Sequence, residues 1–332
     1  MINIKPKVFV TREIPDPGLE ILRKHCEVEV NKEDRVLTKE EIIAGIKGKD
    51  ALLCLLTDTI DEDIIEANPN LKVIANYAVG YNNVDVNAAS KYGIPVTNTP
   101  GVLTDTTADL TFALLLSAAR RIVESDKYMR AGKYKGWAPK LLLGYDIYGK
   151  KLGIIGFGRI GSAVAKRAAG FGMKILYYEH DGPKDTGIDA EFMEFEELLR
   201  EADFVTLHVP LNERTKHMIS HKEFEIMKTN AILINTSRGS VVNEEALVKA
   251  LQTGEIAGAG LDVFEDEPAM KPGLAELDNA VIVPHIGSAT IDTRNKMATM
   301  AAENVIAALK CEVPPNLVNR AAIEKRVCKN AI

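Results

Sequence analysis

Short uninterrupted apolar runs alternate along this chain with longer stretches in which apolar residues recur every three or four positions. The first kind reads as buried strands and the second as amphipathic helices. Strands are expected at residues 7–10, 28–30, 51–56, 72–76 and 95–98. Helical stretches fall between them, one around 19–25 and one that Thr38 and Glu41 can open as a capping box. The run 51–56 contains no charged position, the pattern of a strand covered on both faces. Strands alternating with helices predict a parallel sheet.

Thr99-Pro100-Gly101 interrupts the pattern, and the longest helical stretch, 104–131, follows. Its apolar face is broad enough to meet either its own domain or a second copy of the chain, and the pattern leaves both open. A second alternating series then begins, with strands at 151–155, 174–178, 204–209, 231–235, 257–263 and 280–283. Six strands built on βαβ units are the doubly wound arrangement that binds dinucleotides. Residues 292–310 read as one more helix. The fold class is α/β, with two doubly wound parallel-sheet domains.

Composition narrows the function. A chain of 332 residues exceeds one ordinary core and suits two domains. With 46% hydrophobic and 27% charged residues, it has an ordinary globular mix and is not expected to be disordered. A formal net charge of -6 and no Lys/Arg block argue against nucleic-acid binding. The most apolar run, 110–119, is too short to span a bilayer and meets Arg120 and Arg121, so no membrane role is expected. Residues 1–6 carry no signal-peptide stretch. The four cysteines, Cys26, Cys54, Cys311 and Cys328, form no CxxC pair. Neither a metal site nor a disulfide framework is expected, and Cys54 reads as a buried thiol in a reducing cytoplasm.

Gly156-Phe157-Gly158-Arg159-Ile160-Gly161 fits GxGxxG. The pattern alone is weak, but here it follows the strand 151–155 and opens a helix, as the dinucleotide fingerprint requires. Gly156 allows the tight turn, Gly158 the approach of a pyrophosphate, and Gly161 close packing of helix on strand. The helix N-terminus offers unpaired N–H groups and partial positive charge to the phosphates. The next strand runs into Glu179, the acidic residue expected about 20 residues on to bind ribose hydroxyls and repel a 2′-phosphate. No Arg adjoins it in sequence. NAD(H) is therefore the expected cofactor, with NADP(H) disfavoured.

Of six histidines, His25, His180 and His221 read as surface residues and His217 as part of a loop. His208 ends a strand, where it can line a cofactor pocket or cap the strand. His285 follows the strand 280–283, at the carboxyl edge where open α/β sheets bind ligands. Two neighbouring strand ends lead into Arg238 and into Glu265-Asp266-Glu267. Reduction of a 2-keto acid needs such a set. A guanidinium binds the carboxylate in a fork, an imidazolium donates a proton, and a carboxylate supports the charged imidazole. A surface ion pair beside a structural histidine is the plainer alternative.

Ordered motifs along nearly the whole chain resemble the D-isomer-specific 2-hydroxyacid dehydrogenases. They are Ala78-Val79-Gly80 with Val84-Asp85, Thr104-Asp105 with Ala108-Asp109, the glycine loop, His208-Val209-Pro210-Leu211, 235–239, 260–268 and 284–288. The resemblance implies that Arg238 binds substrate, His285 is the acid/base and Glu267, directly before Pro268, is its partner. Glu265 and Asp266 are rivals for that last role. It also implies that Val79 and Gly80 hold the substrate carboxylate. Asp262 would lie near the nicotinamide, with Thr104, Arg159, Ile160, Val209, Pro210, Thr215, Thr236 and Gly287 around the cofactor. A Rossmann cofactor domain, 100–288, would be inserted into a flavodoxin-like substrate domain, 1–99 with 289–332, and the cleft would close over substrate. Homodimers through the long helix are implied as well.

Within that family, 76–81 and 143–146 resemble glyoxylate/hydroxypyruvate reductases. Trp137 resembles a loop residue that reaches a partner's site in some of them, and reads equally as a packing anchor. A phosphite dehydrogenase would carry lysine in place of Val79. Other D-2-hydroxyacid dehydrogenases, and an NAD-sensing binding protein on the same fold, are the remaining alternatives.

Overall fold

The computed structural model describes residues 5–185 and 187–325. The chain divides into two compact units, Met1–Leu103 together with Ala289–Ile332, and Thr104–Ser288. The first crossing thus lies four residues beyond the expected 99/100, where a helix begins rather than at the Thr99-Pro100-Gly101 break.

The first unit starts with strand β1 (Lys7–Val10), helix α1 (Asp16–His25), β2 (Glu27–Val30) and α2 (Lys39–Ile46). It continues with β3 (Ala51–Leu55), α3 (Glu62–Ala67), β4 (Val73–Tyr77), α4 (Val86–Lys91) and β5 (Val96–Thr97). The capping box is present: the Thr38 hydroxyl accepts from the Glu41 amide and the Glu41 carboxylate accepts from the Thr38 amide. Such caps stabilise a helix by about 1 kcal/mol. The strands form one parallel sheet in the order β2-β1-β3-β4-β5. This is the flavodoxin-like order. The first four residues of β3 are buried, as its unbroken apolar run requires.

The second unit holds α5 (Thr104–Ala119), α6 (Ile122–Arg130), β6 (Lys151–Ile155), α7 (Arg159–Gly170), β7 (Lys174–Tyr178) and β8 (Glu191–Phe192). Then come α8 (Phe195–Glu201), β9 (Phe204–Leu207), α9 (His221–Ile226), β10 (Ile232–Asn235), α10 (Glu244–Thr253), β11 (Gly258–Leu261) and β12 (Ala280–Ile282). All seven strands are parallel, in the order β12-β11-β10-β9-β6-β7-β8. Strand order reverses beside β6, the first strand of the unit, as in dinucleotide-binding sheets. Two cores flank this sheet, one around Leu207, Phe224 and Leu247, the other around Leu115, Ile154 and Val164.

The chain then returns to the first unit through α11 (Ile291–Leu309) and α12 (Arg320–Lys325). Residues Met297, Ala298, Ala301, Ala302 and Val305 of α11 share a core with Val8, Val10, Leu53 and Val73 of the sheet.

Several local expectations change. The stretch 104–131 is two helices, because Arg121 adopts φ 52 and ends the helical path. The Ala119 carbonyl accepts instead from the Tyr145 amide at 2.8 Å, and the Arg121 guanidinium donates to the Leu143 carbonyl. The longest helix among the described residues is accordingly α11. Strand β8 and helix α12 add to the expected elements; each is too short to show a period. Cys26 and Cys54 are buried, and burial pushes both thiols up, Cys26 to about 11. Cys328 lies outside the described residues. Among the described residues no helix is long and apolar enough to cross a membrane.

Candidate active site

Every strand from β6 to β12, β8 aside, leaves the second sheet at its carboxyl edge into a turn that carries a site residue. The glycine loop follows β6. Gly156 has φ 92, and a Cβ there would lie 2.8 Å from the His208 carbonyl, so only glycine fits the turn. Gly158 is exposed, and a Cβ on it would meet nothing within 4 Å, which leaves the loop open to a ligand. No side chain caps α7, so its first amides remain available to an anion. These are the features a pyrophosphate requires.

Glu179 follows β7. Its Oε1 accepts from the Phe157 amide and pairs with Lys184 Nζ at 2.8 Å. The carboxylate is thus held beside the glycine loop, as a ribose partner must be. Although no Arg is adjacent in sequence, Arg214 donates toward His180, at 2.8 Å, so cations do stand near this end of the site.

After β9, Thr206 Oγ1 lies 2.9 Å from His208 Nε2, while His208 Nδ1 is buried with no hydrogen-bond partner among the described residues. Burial lowers this imidazole to about 3. Val209 is half-buried and Pro210 exposed. The Thr215 hydroxyl is committed to its own loop, donating to the Pro210 carbonyl and accepting from the Asn212 amide.

β12, β11 and β10 are neighbours in the sheet, and their turns bring the chemical groups together. After β10, Asn235 Oδ1 accepts from the Ser237 amide and hydroxyl, and its Nδ2 donates to the Arg238 carbonyl. This clasp shapes the turn that presents Arg238, a largely buried guanidinium donating to the Ser237 carbonyl at 2.6 Å. Burial weakens its hold on the proton, and Glu267 opposes that. Gly239 comes next, where a Cβ would lie 1.9 Å from the carbonyl carbon of Phe264. The Arg238 turn and the loop after β11 are therefore in direct backbone contact.

That loop carries Glu267. His285, after β12, places Nδ1 at 2.9 Å from Glu267 Oε2. Burial alone would raise the Glu267 carboxyl, but the hydrogen bond and charge of His285, the Phe264 amide and Arg238 together hold it below the usual range. Of the rivals, Glu265 faces His217 instead, with Oε1 2.6 Å from Nε2, and Asp266 pairs with Lys271. His285 has φ 51, a conformation uncommon for a residue other than glycine. Its amide donates to the Asp262 carbonyl. The buried Asp262 carboxylate accepts from the Ile286 and Gly287 amides at 2.6 and 2.8 Å. Burial raises this carboxyl, against those amides. Asp262 thus anchors the histidine turn, whatever else it binds.

Sequence reasoning missed several supports. Thr107 of α5 donates to the Gly287 carbonyl, and Thr111 lies 2.9 Å from the Thr236 hydroxyl. Two threonines one turn apart on an apolar helix were the available signal. Thr104 opens α5 and is half-buried. Val79 and Gly80 belong to the first unit, half-buried in the loop after β4.

Residues 112–287 match the family of D-isomer specific 2-hydroxyacid dehydrogenases, NAD binding domain. The chain is 54% identical to a glyoxylate reductase of Thermococcus litoralis over 323 residues, covering 96% of this chain and 98% of that one. A crystal structure of a protein from Thermus thermophilus superposes with a TM-score of 0.90 at 48% identity, covering 94% of this chain and 99% of the other. An NADPH-dependent glyoxylate/hydroxypyruvate reductase from Sinorhizobium meliloti, solved with NADP and malonate, gives a TM-score of 0.86 at 31% identity, covering 99% and 100%.

Proposed function

Because the chain belongs to the D-isomer specific 2-hydroxyacid dehydrogenases, we propose that it reduces a small 2-keto acid, glyoxylate or hydroxypyruvate, with NADH. The observation that carries this reading is the His285–Glu267 pair at the carboxyl edge of a dinucleotide-binding sheet, one turn from Arg238.

A nicotinamide dinucleotide held at the glycine loop would supply a hydride to C2 of the keto acid. The Arg238 guanidinium forks onto the substrate carboxylate and fixes C2 for attack. As the C2–O double bond opens, His285 gives its proton to the oxygen, and a 2-hydroxy acid results. Nδ1 faces Glu267, so Nε2 is the nitrogen that serves the substrate. Glu267 balances the positive charge before transfer and fixes the ring's tautomer. The buried Arg238 and ionised Glu267 also partly offset one another. The glycine-loop amides and the α7 terminus take the pyrophosphate, and Glu179 takes the ribose hydroxyls.

The working form is a homodimer built on α5, α6 and the segment after them. Exposed apolar side chains concentrate on α6 and the segment after it, among them Ile122, Met129, Trp137, Leu143 and Tyr148. Sedimentation of the purified protein tests that, a monomer at micromolar concentration opposing it. The reducing cytoplasm is the proposed location, consistent with buried thiols.

The deciding assay follows NADH and NADPH oxidation with glyoxylate, hydroxypyruvate, pyruvate and longer 2-keto acids. Fast NADH-linked turnover of glyoxylate or hydroxypyruvate supports the reading. Tight NADH binding without turnover of any of them would replace it with a sensing role on the same fold.

A further inference from the structure

Glu244, the first residue of α10, is a charged side chain that the chemistry above does not use, yet it is only 4% exposed. A buried carboxylate costs several kcal/mol unless its oxygens are satisfied. Here both are, by two backbone amides of one loop. Oε2 accepts from the Glu265 amide and Oε1 from the Lys271 amide, each at 2.7 Å. Those two amides bracket Glu267. The grip is reciprocal, because Glu265 Oε2 accepts from the Glu244 amide at 3.2 Å. Gly239 also packs directly on the backbone of Phe264 and Glu265. Glu244 therefore holds the segment carrying Glu267 at both of its ends.

We propose that Glu244 is a positioning residue whose buried carboxylate fixes the 265–271 loop so that Glu267 meets His285. This rests on the reading of His285 and Glu267 as the acid–base pair. A shift of a catalytic group by about 1 Å costs on the order of a hundredfold in rate, so a loop clamp is worth a buried charge. The groups facing the imidazole are Glu267, the Asp262 carboxylate beneath its turn and, through Glu267, Arg238. Glu244 acts on the first of these alone.

Glu244→Gln keeps the size of the side chain but sets an amide N–H against one of the two backbone N–H groups. The expected result is a kcat for keto-acid reduction lowered by roughly tenfold to a hundredfold, with NADH affinity unchanged. The pH profile of kcat moves in the same direction as that of Glu267→Gln. In the Glu267→Gln background the second substitution adds little, since the two act as a unit. Glu244→Asp keeps the charge with a shorter reach and carries the same test where Glu244→Gln does not accumulate as folded protein. In the unaltered protein the Glu265 and Lys271 amides are expected to be protected from hydrogen exchange.

A folded Glu244→Gln enzyme with lowered melting temperature but an unmoved pH profile would reduce Glu244 to a structural residue and overturn the proposal. So would effects that add to those of Glu267→Gln, or rapid exchange at both amides. His285→Ala, measured alongside, separates the two possible failures. Lost turnover there with an unmoved Glu244→Gln profile removes only this inference. Retained turnover in His285→Ala removes the acid–base reading itself.

Discussion

His285 Nδ1 and Glu267 Oε2 stand 2.9 Å apart although they come from the turns of different strands, β12 and β11. The contact depends on the left-handed backbone of His285 and on the Asp262 carboxylate that receives the amides just beyond it. Replacing the ring tests what the contact is for. His285→Ala is expected to lower keto-acid reduction by roughly 10²- to 10⁴-fold, the range for a general acid. NADH binding, followed by fluorescence titration, should hardly change. A near-normal rate would end the assignment.

Glu267→Gln keeps a hydrogen-bond acceptor beside the ring and removes the charge. The wild-type carboxyl is held below its usual range by its partners, which favours its ionised form. Removing an opposite charge in hydrogen-bond contact disfavours the charged form of a partner. The pH optimum for reduction is expected to move downward in a rate–pH profile of kcat. An unmoved optimum would point instead to Asp262, the other carboxylate near the ring.

Arg238→Lys replaces a planar fork by a point charge. A charge-assisted hydrogen bond lost at a buried site costs about 1.5–3 kcal/mol. The apparent KM for keto acid should accordingly rise by about 10- to 100-fold, with NADH affinity kept. Steady-state kinetics with glyoxylate decide this, and an unchanged KM would exclude the carboxylate role.

His208 makes stability depend on pH. Its imidazole falls from an ordinary 6.5 to about 3 because it is buried. Between those values the unfolded chain binds a proton there that the folded chain refuses. Its contribution is complete above pH 6.5 and is lost as the pH falls toward 3. About 2 kcal/mol should disappear between about pH 7 and pH 5. Urea unfolding at the two pH values measures it, and His208→Gln should flatten that part of the slope. Equal slopes in both proteins would place the acid sensitivity elsewhere.

What was legible in the sequence was local. The glycine loop announces itself because turn, strand and helix lie within a few residues. Arg238, Glu267 and His285 stood out because each follows an apolar run. The break after Ala119 had no such mark: neither glycine nor proline stands at Arg120 or Arg121, and the competing partner, Tyr145, is distant in sequence. Glu244 was hidden for a related reason. At the start of a helix, after an Asn cap, it looks like an ordinary charge complementing the helix dipole. Its burial follows from where the 265–271 loop packs, which no periodicity reports.

The placement of α11 bears on how the protein is made. Val8, Val10, Leu53 and Val73 are translated before the second unit, yet Met297, Ala298, Ala301 and Val305 share their core. Those partners are translated only after the entire second unit. During synthesis the cofactor-binding unit can be finished while the earlier five-stranded sheet still lacks α11. Nascent chains arrested before α11 should therefore present a sticky apolar face, and chaperone demand should peak in that interval.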